Sequence, residues 1–537
     1  MINSGKTSKG MNAKICYAIL YVYCGLVIAS CGSRINDRSA DERAGSYYYE
    51  KYRPQFHFSP EASWMNDPNG MVFLSDEYHL FYQYYPDSTV WGPMHWGHAV
   101  SPDMVHWTHL PVALYPDSLG YIFSGSAVVD SDNTAGFSDD GNPAIVAVFT
   151  YHNQKLESSG SDLFQSQGIA YSTDRGRTWT KFSGNPVLPN PGIRDFRDPK
   201  VFRHEESGKW IMILAVHDRV HLYSSPDLKS WSFESEFGEK SGAHGGVWEC
   251  PDLFPLKVKG SEGTKWIMLV SINPGGPNGG SATQYFTGSF DGHSFTPDGS
   301  EERWLDWGTD NYAGVTWSGI PETDGRRLFL GWMSNWNYAT VVPTEVWRSA
   351  MTIPRELSLL YENGDYILLS KPVNELKILR NNSKTLIHGN KDFSGELDIA
   401  LDSLKLTRCE AIIEFDLTGS NADTLGIILE NTEGERLIAG FSIPGKNIYI
   451  DRTSSGNSSF SERFPGIAEA PYKAGDKLNI HMFIDASSAE LFIDDGRLVM
   501  TSLFFPADGF SKLIIFSKGG EAILEKAELH EFASIWR

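Results

Sequence analysis

Three short motifs each offer a carboxylic acid, Asp67, Asp198 and Glu249, among rigid or turn-forming neighbours: Trp64-Met65-Asn66-Asp67-Pro68-Asn69-Gly70, Arg197-Asp198-Pro199-Lys200 and Trp248-Glu249-Cys250-Pro251-Asp252. Paired carboxyl groups can break a glycosidic bond, one giving a proton to the leaving oxygen while the other meets the oxocarbenium-like carbon as nucleophile or counter-charge. Where three acids share a pocket, their surroundings must divide the roles. Asp67 lies in a turn rich in amide and backbone donors, which predicts an ionised nucleophile. Glu249 is flanked by Trp248 and Cys250-Pro251, an apolar neighbourhood that predicts a protonated general acid. Asp198 follows Arg197, which predicts a charged acid that orients substrate hydroxyls. Each motif alone has a plainer reading, as a turn residue, a local ion pair or a surface acid.

The position of the motifs in a repeat separates the two readings. A Ser-x-Asp turn leads to an aromatic residue four times: Ser101 and Asp103 to Trp107, Ser172 and Asp174 to Trp179, Ser225 and Asp227 to Trp231, Ser289 and Asp291 to Phe295. In phase with it, polar motifs beginning near Asn66, Phe123, Arg197, Trp248 and Asp310 each open an apolar strand, followed by an acidic or Gly turn and an aromatic-rich strand. This spacing suits one four-stranded sheet per unit and predicts an all-β chain whose first part is a five-bladed β-propeller. The first strand of every blade lines the central channel, so the three acids would converge there.

The texture changes after Lys371-Pro372. Alternation in Ile413 to Leu417 and Ile480 to Asp485, a hairpin turn at Asp494-Asp495-Gly496 and a buried strand at Leu513 to Ser517 predict a C-terminal β-sandwich. At the other end, Lys6, Lys9 and Lys14 precede an apolar run from Ile15 to Ala29 that closes on Ile28-Ala29-Ser30-Cys31. That layout is a signal peptide, too short and one-sided for a membrane span. The small residues before Cys31 resemble a bacterial lipobox, which implies lipidation of Cys31 and an exported, membrane-anchored lipoprotein. Met1 and Met11 are both candidate starts. The expected organisation is therefore a signal peptide over 1–30, a tether over 31–46, the propeller over 47–371 and the sandwich over 372–537.

A formal charge of −21 with no basic cluster excludes a nucleic-acid partner. Beyond Cys31 only Cys250 and Cys409 remain in the mature part, and no CxxC or HExxH motif occurs, so neither a disulfide scaffold nor a metal site is expected, and no cofactor.

The chain resembles glycoside hydrolase family 32, the invertase, inulinase and levanase family. The resemblance is carried by His57-Phe58-Ser59-Pro60 through Gly70, Phe81-Tyr82-Gln83, Trp91-Gly92-Pro93 with His95 to His98, and Phe123-Ser124-Gly125-Ser126. It continues through Arg197-Asp198-Pro199, Trp248 to Asp252, Tyr312-Ala313, Gly331 to Trp336, Trp347 to Ala350, Arg355-Glu356-Leu357 and Asp485 to Pro506, from about Tyr52 to the C-terminus. It implies a propeller plus sandwich and a retaining double displacement on β-fructofuranosides. Asp67 would attack the anomeric C2, Glu249 would protonate the leaving oxygen and then activate water, and Asp198 would stabilise the transition state through fructose hydroxyls. It further implies fructose contacts from Asn66, Gln83, Trp91, Ser124, Arg197 and Trp336, pocket walls from Trp64, Met65 and Phe123, and rim contacts from Asp310 and Tyr312. The implied substrates are levan, inulin or fructo-oligosaccharides, with sucrose in addition, cut from the chain end; endo-levanase action is the alternative. Two other classes compete: an inverting arabinanase-like propeller, against which stand the Asn66 to Gly70 turn and the sandwich, and a non-catalytic fructan-binding propeller, against which stands the presence of both Asp67 and Glu249.

Overall fold

Between the Asp- and Gly-rich turns the chain is dense in Val, Ile, Tyr, Phe and Trp, which fit a pleated and buried surface, and these segments are strands. A computed structural model describes residues 47–138, 141–401 and 403–536. The expected signal peptide, tether and lipidated Cys31 lie outside the described residues.

Successive four-stranded antiparallel meanders make up the first part. They are β1 (Ser63–Leu74) to β2 (Glu77–Tyr85), β3 (His95–Ser101) and β4 (Thr108–Leu114); then β5 (Tyr121–Asp130), β6 (Ala144–His152), β7 (Gln165–Ser172) and β8 (Thr180–Lys181). Next come β9 (Phe196–His204), β10 (Lys209–Val216), β11 (Arg219–Ser225) and β12 (Ser232–Phe237), followed by β13 (Val247–Lys259), β14 (Thr264–Asn273), β15 (Ala282–Phe290) and β16 (Phe295–Pro297). The last meander runs β17 (Tyr312–Thr316), β18 (Arg327–Met333), β21 (Arg355–Glu362) and β22 (Asp365–Pro372); the short β19 (Trp347–Arg348) pairs in parallel with β1, and β20 (Ala350–Met351) pairs with β18. The first strands touch in chain order, β1 to β5, β5 to β9, β9 to β13 and β13 to β17, and β17 returns to β1. A ring of sheets closed in this way is a β-propeller.

The recurring Ser-x-Asp turn joins the third and fourth strands of the first four meanders. Asp103 accepts the N–H groups of Val105 and His106 at 2.9 and 2.8 Å, and Asp227 and Asp291 repeat that geometry. Asp174 does the same one residue later, on Arg177 and Thr178. The indoles of Trp107, Trp179 and Trp231 donate to backbone carbonyls inside their own turns at 3.0 to 3.1 Å. The signature thus fixes where each sheet turns for the last time, and its aromatic closes the sheet edge.

A second regularity belongs to the first strands. Each holds an extra residue relative to its partner near its start: Asp67 between the Asn66/Gln83 and Pro68/Tyr82 pairs, with a second shift between Asn69 and Val72 in the same strand, and Ser124 between Phe123/Thr150 and Gly125/Phe149. Three residues likewise oppose two after Arg197, after Glu249 and after Tyr312. These are β-bulges, which interrupt the ladder and re-aim a side chain. Pro68, Pro199 and Pro251, which lack an N–H to give the ladder, sit in or beside them.

The C-terminal part is the expected β-sandwich. Its strands alternate buried and wetter positions, as in Cys409–Asp416, and its core is formed by Ile413, Phe415, Ile427, Ile480, Leu513 and Ile515. The turn at Asp494-Asp495-Gly496 joins Ser488–Ile493 to Leu498–Leu503, with φ of 43°, 63° and 78°, the succession of positive values that a tight hairpin demands. Buried charge ties the sandwich to the propeller. His57 lies between Asp485 Oδ2 at 2.8 Å and Glu490 Oε1 at 2.9 Å, and Arg355 pairs with both Glu490 and Asp306. Cys250 and Cys409 are both free and buried.

Candidate active site

The bulges bring the three acids to one cavity of about 290 Å³ at the end of the propeller channel. Asp67, Asp198 and Glu249 all line it, together with Asn66, Gln83, Trp91, Phe123, Ser124, Arg197 and Trp336. The backbone takes left-handed values at Asp198 (φ 62°) and Cys250 (φ 45°), a costly geometry for non-glycine residues that the surrounding sheets hold in place.

Asp67 accepts a hydrogen bond from the Ser124 hydroxyl at 2.9 Å on Oδ2, while its buried Oδ1 has no protein partner. Burial, then the charge of Glu249, push its carboxyl up to about 6, with neighbouring Asn66 and Ser124 acting in the opposite direction. The turn's other amide, Asn69 Nδ2, is spent on the Asp67 backbone carbonyl at 3.1 Å. Asp67 is therefore held less firmly ionised than its sequence neighbours suggest. Asp198 is 5% exposed and accepts the Cys250 N–H at 3.1 Å. Burial raises its carboxyl to about 7, with Glu249 and Asp67 adding to that and Arg197 opposing it. The Cys250 thiol lies 3.6 Å from Asp198 Oδ2 and 3.8 Å from Asp67 Oδ2. Burial first, and then these carboxylates, keep it protonated, so it is a weak donor and no nucleophile.

Glu249 departs most from expectation. Instead of an apolar setting it has a polar one: Arg197 donates to Oε1 from Nη2 at 3.0 Å and from Nε at 3.3 Å, and the Tyr312 hydroxyl donates to Oε2. The reason is the alternation of side chains along a strand. Trp248 turns away into the core of its own and the neighbouring sheet, so residues adjacent in sequence do not surround the carboxyl. Arg197 in turn gives its Nη1 to Asp195 at 2.6 Å and stands 3.9 Å from Asp198, so the expected Arg197–Asp198 pair is the weakest of its contacts.

Four predicted contact residues do not line the cavity. Trp64 and Met65 are fully buried behind it; Trp64 donates to Asn66 Oδ1 at 2.7 Å and stacks on Trp336 at 5.8 Å, so it supports the residues in front. Tyr312 is buried and reaches the site only through Glu249. Asp310 is no rim contact: it is buried against Arg452 at 2.6 Å and Tyr338 at 2.5 Å, a link to the sandwich. Conversely, His152, Glu157, Phe164, Gln165 and Asp195 line the cavity without having been singled out. His152 to Gln165 come from the end of β6, the start of β7 and the connection between them, where the only signal was the Asn153 helix cap ahead of α1 (Gln154–Ser158). Asp195 stood two residues before Arg197. Among the described residues no group of three or more His, Cys, Asp or Glu side chains is placed to hold a metal ion.

Comparison with known proteins gives concordant matches. The model of the glycosyl hydrolases family 32 N-terminal domain matches residues 57–372, and that of the family 32 C-terminal domain matches residues 375–531. A levanase of Bacillus subtilis (strain 168) is 46% identical over 503 residues, covering 93% of this chain and 73% of the relative. The crystal structure of an exo-inulinase from Aspergillus awamori superimposes with a TM-score of 0.84 at 36% identity, covering 91% of this chain and 100% of the other. A β-fructofuranosidase from Schwanniomyces occidentalis complexed with fructosyl-erythritol gives 0.80 at 32% identity, covering 90% and 98%.

Proposed function

Because the chain belongs to glycosyl hydrolase family 32, we propose a division of labour within its pocket for the cleavage of β-D-fructofuranosidic bonds. The protein is a glycoside hydrolase acting on fructofuranosides, in the company of levanase, exo-inulinase and β-fructofuranosidase relatives. Asp67 attacks the anomeric C2 with a carboxylate oxygen, and the C2–O bond breaks as Glu249 gives its proton to the departing oxygen. Glu249 then takes a proton from water, which attacks C2 and releases Asp67, so the configuration is retained. Asp198 accepts hydrogen bonds from fructose hydroxyls as positive charge builds on the ring. Asn66, Gln83 and Ser124 add polar contacts, and Trp91, Phe123 and Trp336 supply apolar faces.

The observation that carries this assignment is the asymmetry of the two acids. Arg197 and Tyr312 fix both of Glu249's oxygens in place, whereas Asp67 is held through Oδ2, by the Ser124 hydroxyl. NMR of the first-formed fructose tests it: retention at C2 is expected, with no turnover by Asp67→Ala, and inversion or an active Asp67→Ala enzyme would overturn it.

The pocket also favours action at chain ends. A cavity of about 290 Å³ is at the small end of ligand sites and suits a terminal sugar rather than a strand lying across it. Fructose as the sole early product from levan and inulin is expected; a ladder of oligosaccharides would establish endo-action instead. For the N-terminus, the basic, apolar and small-residue sequence up to Cys31 supports export as a lipoprotein. Cys31→Ala is expected to lose detergent partitioning while remaining active, and unchanged membrane association would exclude lipidation there.

A further inference from the structure

The bulges that carry the acids leave a backbone problem that the ladder does not solve. Directly after Arg197, Glu249 and Tyr312 stands a non-glycine residue in left-handed conformation: Asp198 (φ 62°), Cys250 (φ 45°) and Ala313 (φ 52°). Such a residue keeps its conformation only where its surroundings impose it. In β9 the ladder pairs Arg197 with Ala215 and Lys200 with Ile213, and it passes over Asp198 and Pro199 between them.

Side chains of the preceding meander take over. The Asp198 N–H donates to Thr150 Oγ1 at 3.0 Å, and the Ala313 N–H to Ser271 Oγ at 3.0 Å. Thr150 and Ser271 hold the same place in their meanders, on the second strand, opposite Phe123 and opposite Glu249. The meander between them has Ala215 at that place, opposite Arg197, with no acceptor in its side chain. There the Cys250 N–H goes to Asp198 Oδ2 instead, at 3.1 Å. Asp198 is thus both held by this device and part of it.

The Thr150 hydroxyl is itself fixed. Thr150 and Gln167 are both fully buried, and neither lines the cavity. Thr150 gives its one hydroxyl proton to Gln167 Oε1 at 2.6 Å, and Gln167 Nε2 donates to the Phe196 carbonyl at 2.9 Å, two residues before Asp198. With that proton committed, Oγ1 meets the Asp198 N–H as an acceptor alone. Both ends of this chain grip β9, one on either side of Arg197.

We propose that Thr150, oriented by Gln167, is the positioning residue of Asp198: its hydroxyl sets the left-handed turn that aims this carboxylate at the substrate hydroxyls. The proposal rests on the part given to Asp198 in the cleavage above and deepens it. Without the hydroxyl the N–H is buried and unpaired, and β9 relaxes toward the regular alternation in which Asp198 and Arg197 face opposite sides. Because Asp198 grips hydroxyls as charge builds on the ring, the loss falls on the transition state more than on substrate binding.

The test measures kcat and KM on sucrose and on an inulin oligosaccharide for the parent, Thr150→Val, Thr150→Ser and Asp198→Asn, with Thr150→Val also built on Asp198→Asn. Melting curves check folding, and Thr150→Ala is carried alongside so that the comparison survives a valine variant that does not fold. Thr150→Val is expected to lower kcat about ten- to a hundredfold with KM within about threefold, the scale of a misplaced reacting group. Thr150→Ser keeps the hydroxyl and should stay within about threefold of the parent. On Asp198→Asn the valine should cost less than about twofold, because the group it misdirects is already disabled. An unchanged kcat in Thr150→Val, a serine variant as impaired as the valine one, or the same loss on both backgrounds would each overturn the proposal. Asp198→Asn at the parental kcat would remove the role of Asp198 itself, an outcome seen without any change at Thr150.

Discussion

Arg197 reaches past its sequence neighbour to grip a residue on another sheet: its Nη2 is 3.0 Å from Glu249 Oε1, while its Nε is 3.9 Å from Asp198 Oδ2. With Nη1 on Asp195, the guanidinium is a planar bridge that sets the angle of the proposed proton donor.

A lysine cannot span that bridge, because it offers a point charge in place of a fork. Arg197→Lys is expected to lower kcat/KM on fructosides about a hundredfold, the scale of a mispositioned general acid. A loss of less than about threefold would mean that Glu249 is held well enough without it.

The proposed nucleophile must be ionised, and its carboxyl is pushed up to about 6 by burial and by Glu249, so kcat/KM should rise with pH through that region. Ser124 donates to the charged form. Removing that donor in Ser124→Ala disfavours the anion, and the acid limb of the pH profile should move upward by about half a unit to one unit. A limb that stays or moves down would show that another group sets it.

Asp198 sets function against stability. Its carboxyl is raised in the folded protein to about 7 by burial, with Arg197 opposing, so the folded state binds the proton more tightly than the unfolded chain. Stability attributable to this group therefore declines as pH rises from the ordinary carboxylate range through about 7. Asn keeps an acceptor for the Cys250 N–H and carries no charge. Asp198→Asn should be nearly inactive with unchanged product stereochemistry, and more stable than the parent at about pH 8 by on the order of 1–3 kcal/mol, the difference shrinking near pH 4. Denaturant titration at the two pH values decides it.

His57 gives the opposite sign. Burial resists its charge, but hydrogen bonds to Asp485 and Glu490 prevail and lift it to about 9. Its contribution is full below the unfolded histidine value and is lost as pH climbs through about 9. His57→Ala leaves two buried carboxylates short of a partner and should cost about 3–5 kcal/mol near neutral pH. A melting temperature that is flat up to about pH 10 in the parent would contradict this.

Much of this protein was legible in its sequence because its repeats are marked by chemistry that must recur. The Asp103, Asp174, Asp227 and Asp291 turns need a side-chain acceptor for successive N–H groups, and the aromatics after them need a sheet edge to cover. Counting those marks placed Asp67, Asp198 and Glu249 at one phase, and the cavity contains all three. What remained hidden depends on direction rather than order. Trp248 beside Glu249 suggested an apolar flank, but strand alternation sends it elsewhere. Asp310 lies near the start of a first strand, yet its carboxylate is claimed by Arg452, which is distant in sequence. His152 and Glu157 lie around an irregular connection, where no period fixes which side chains face the pocket.

The extra residue near the start of each first strand also has a meaning for change over generations. Side chains on a regular strand alternate, so consecutive residues such as Arg197 and Asp198 could not both face the channel without it. The site is thus written as a count as well as a set of letters. Loss of Pro199 alone would leave every acid in the chain and rotate Asp198 toward the wrong face, whereas residues gained in the β6–β7 connection would pass unnoticed by the reacting centre. Such a protein is free to drift in the wall that this connection builds, while its inner ring tolerates almost no change in length.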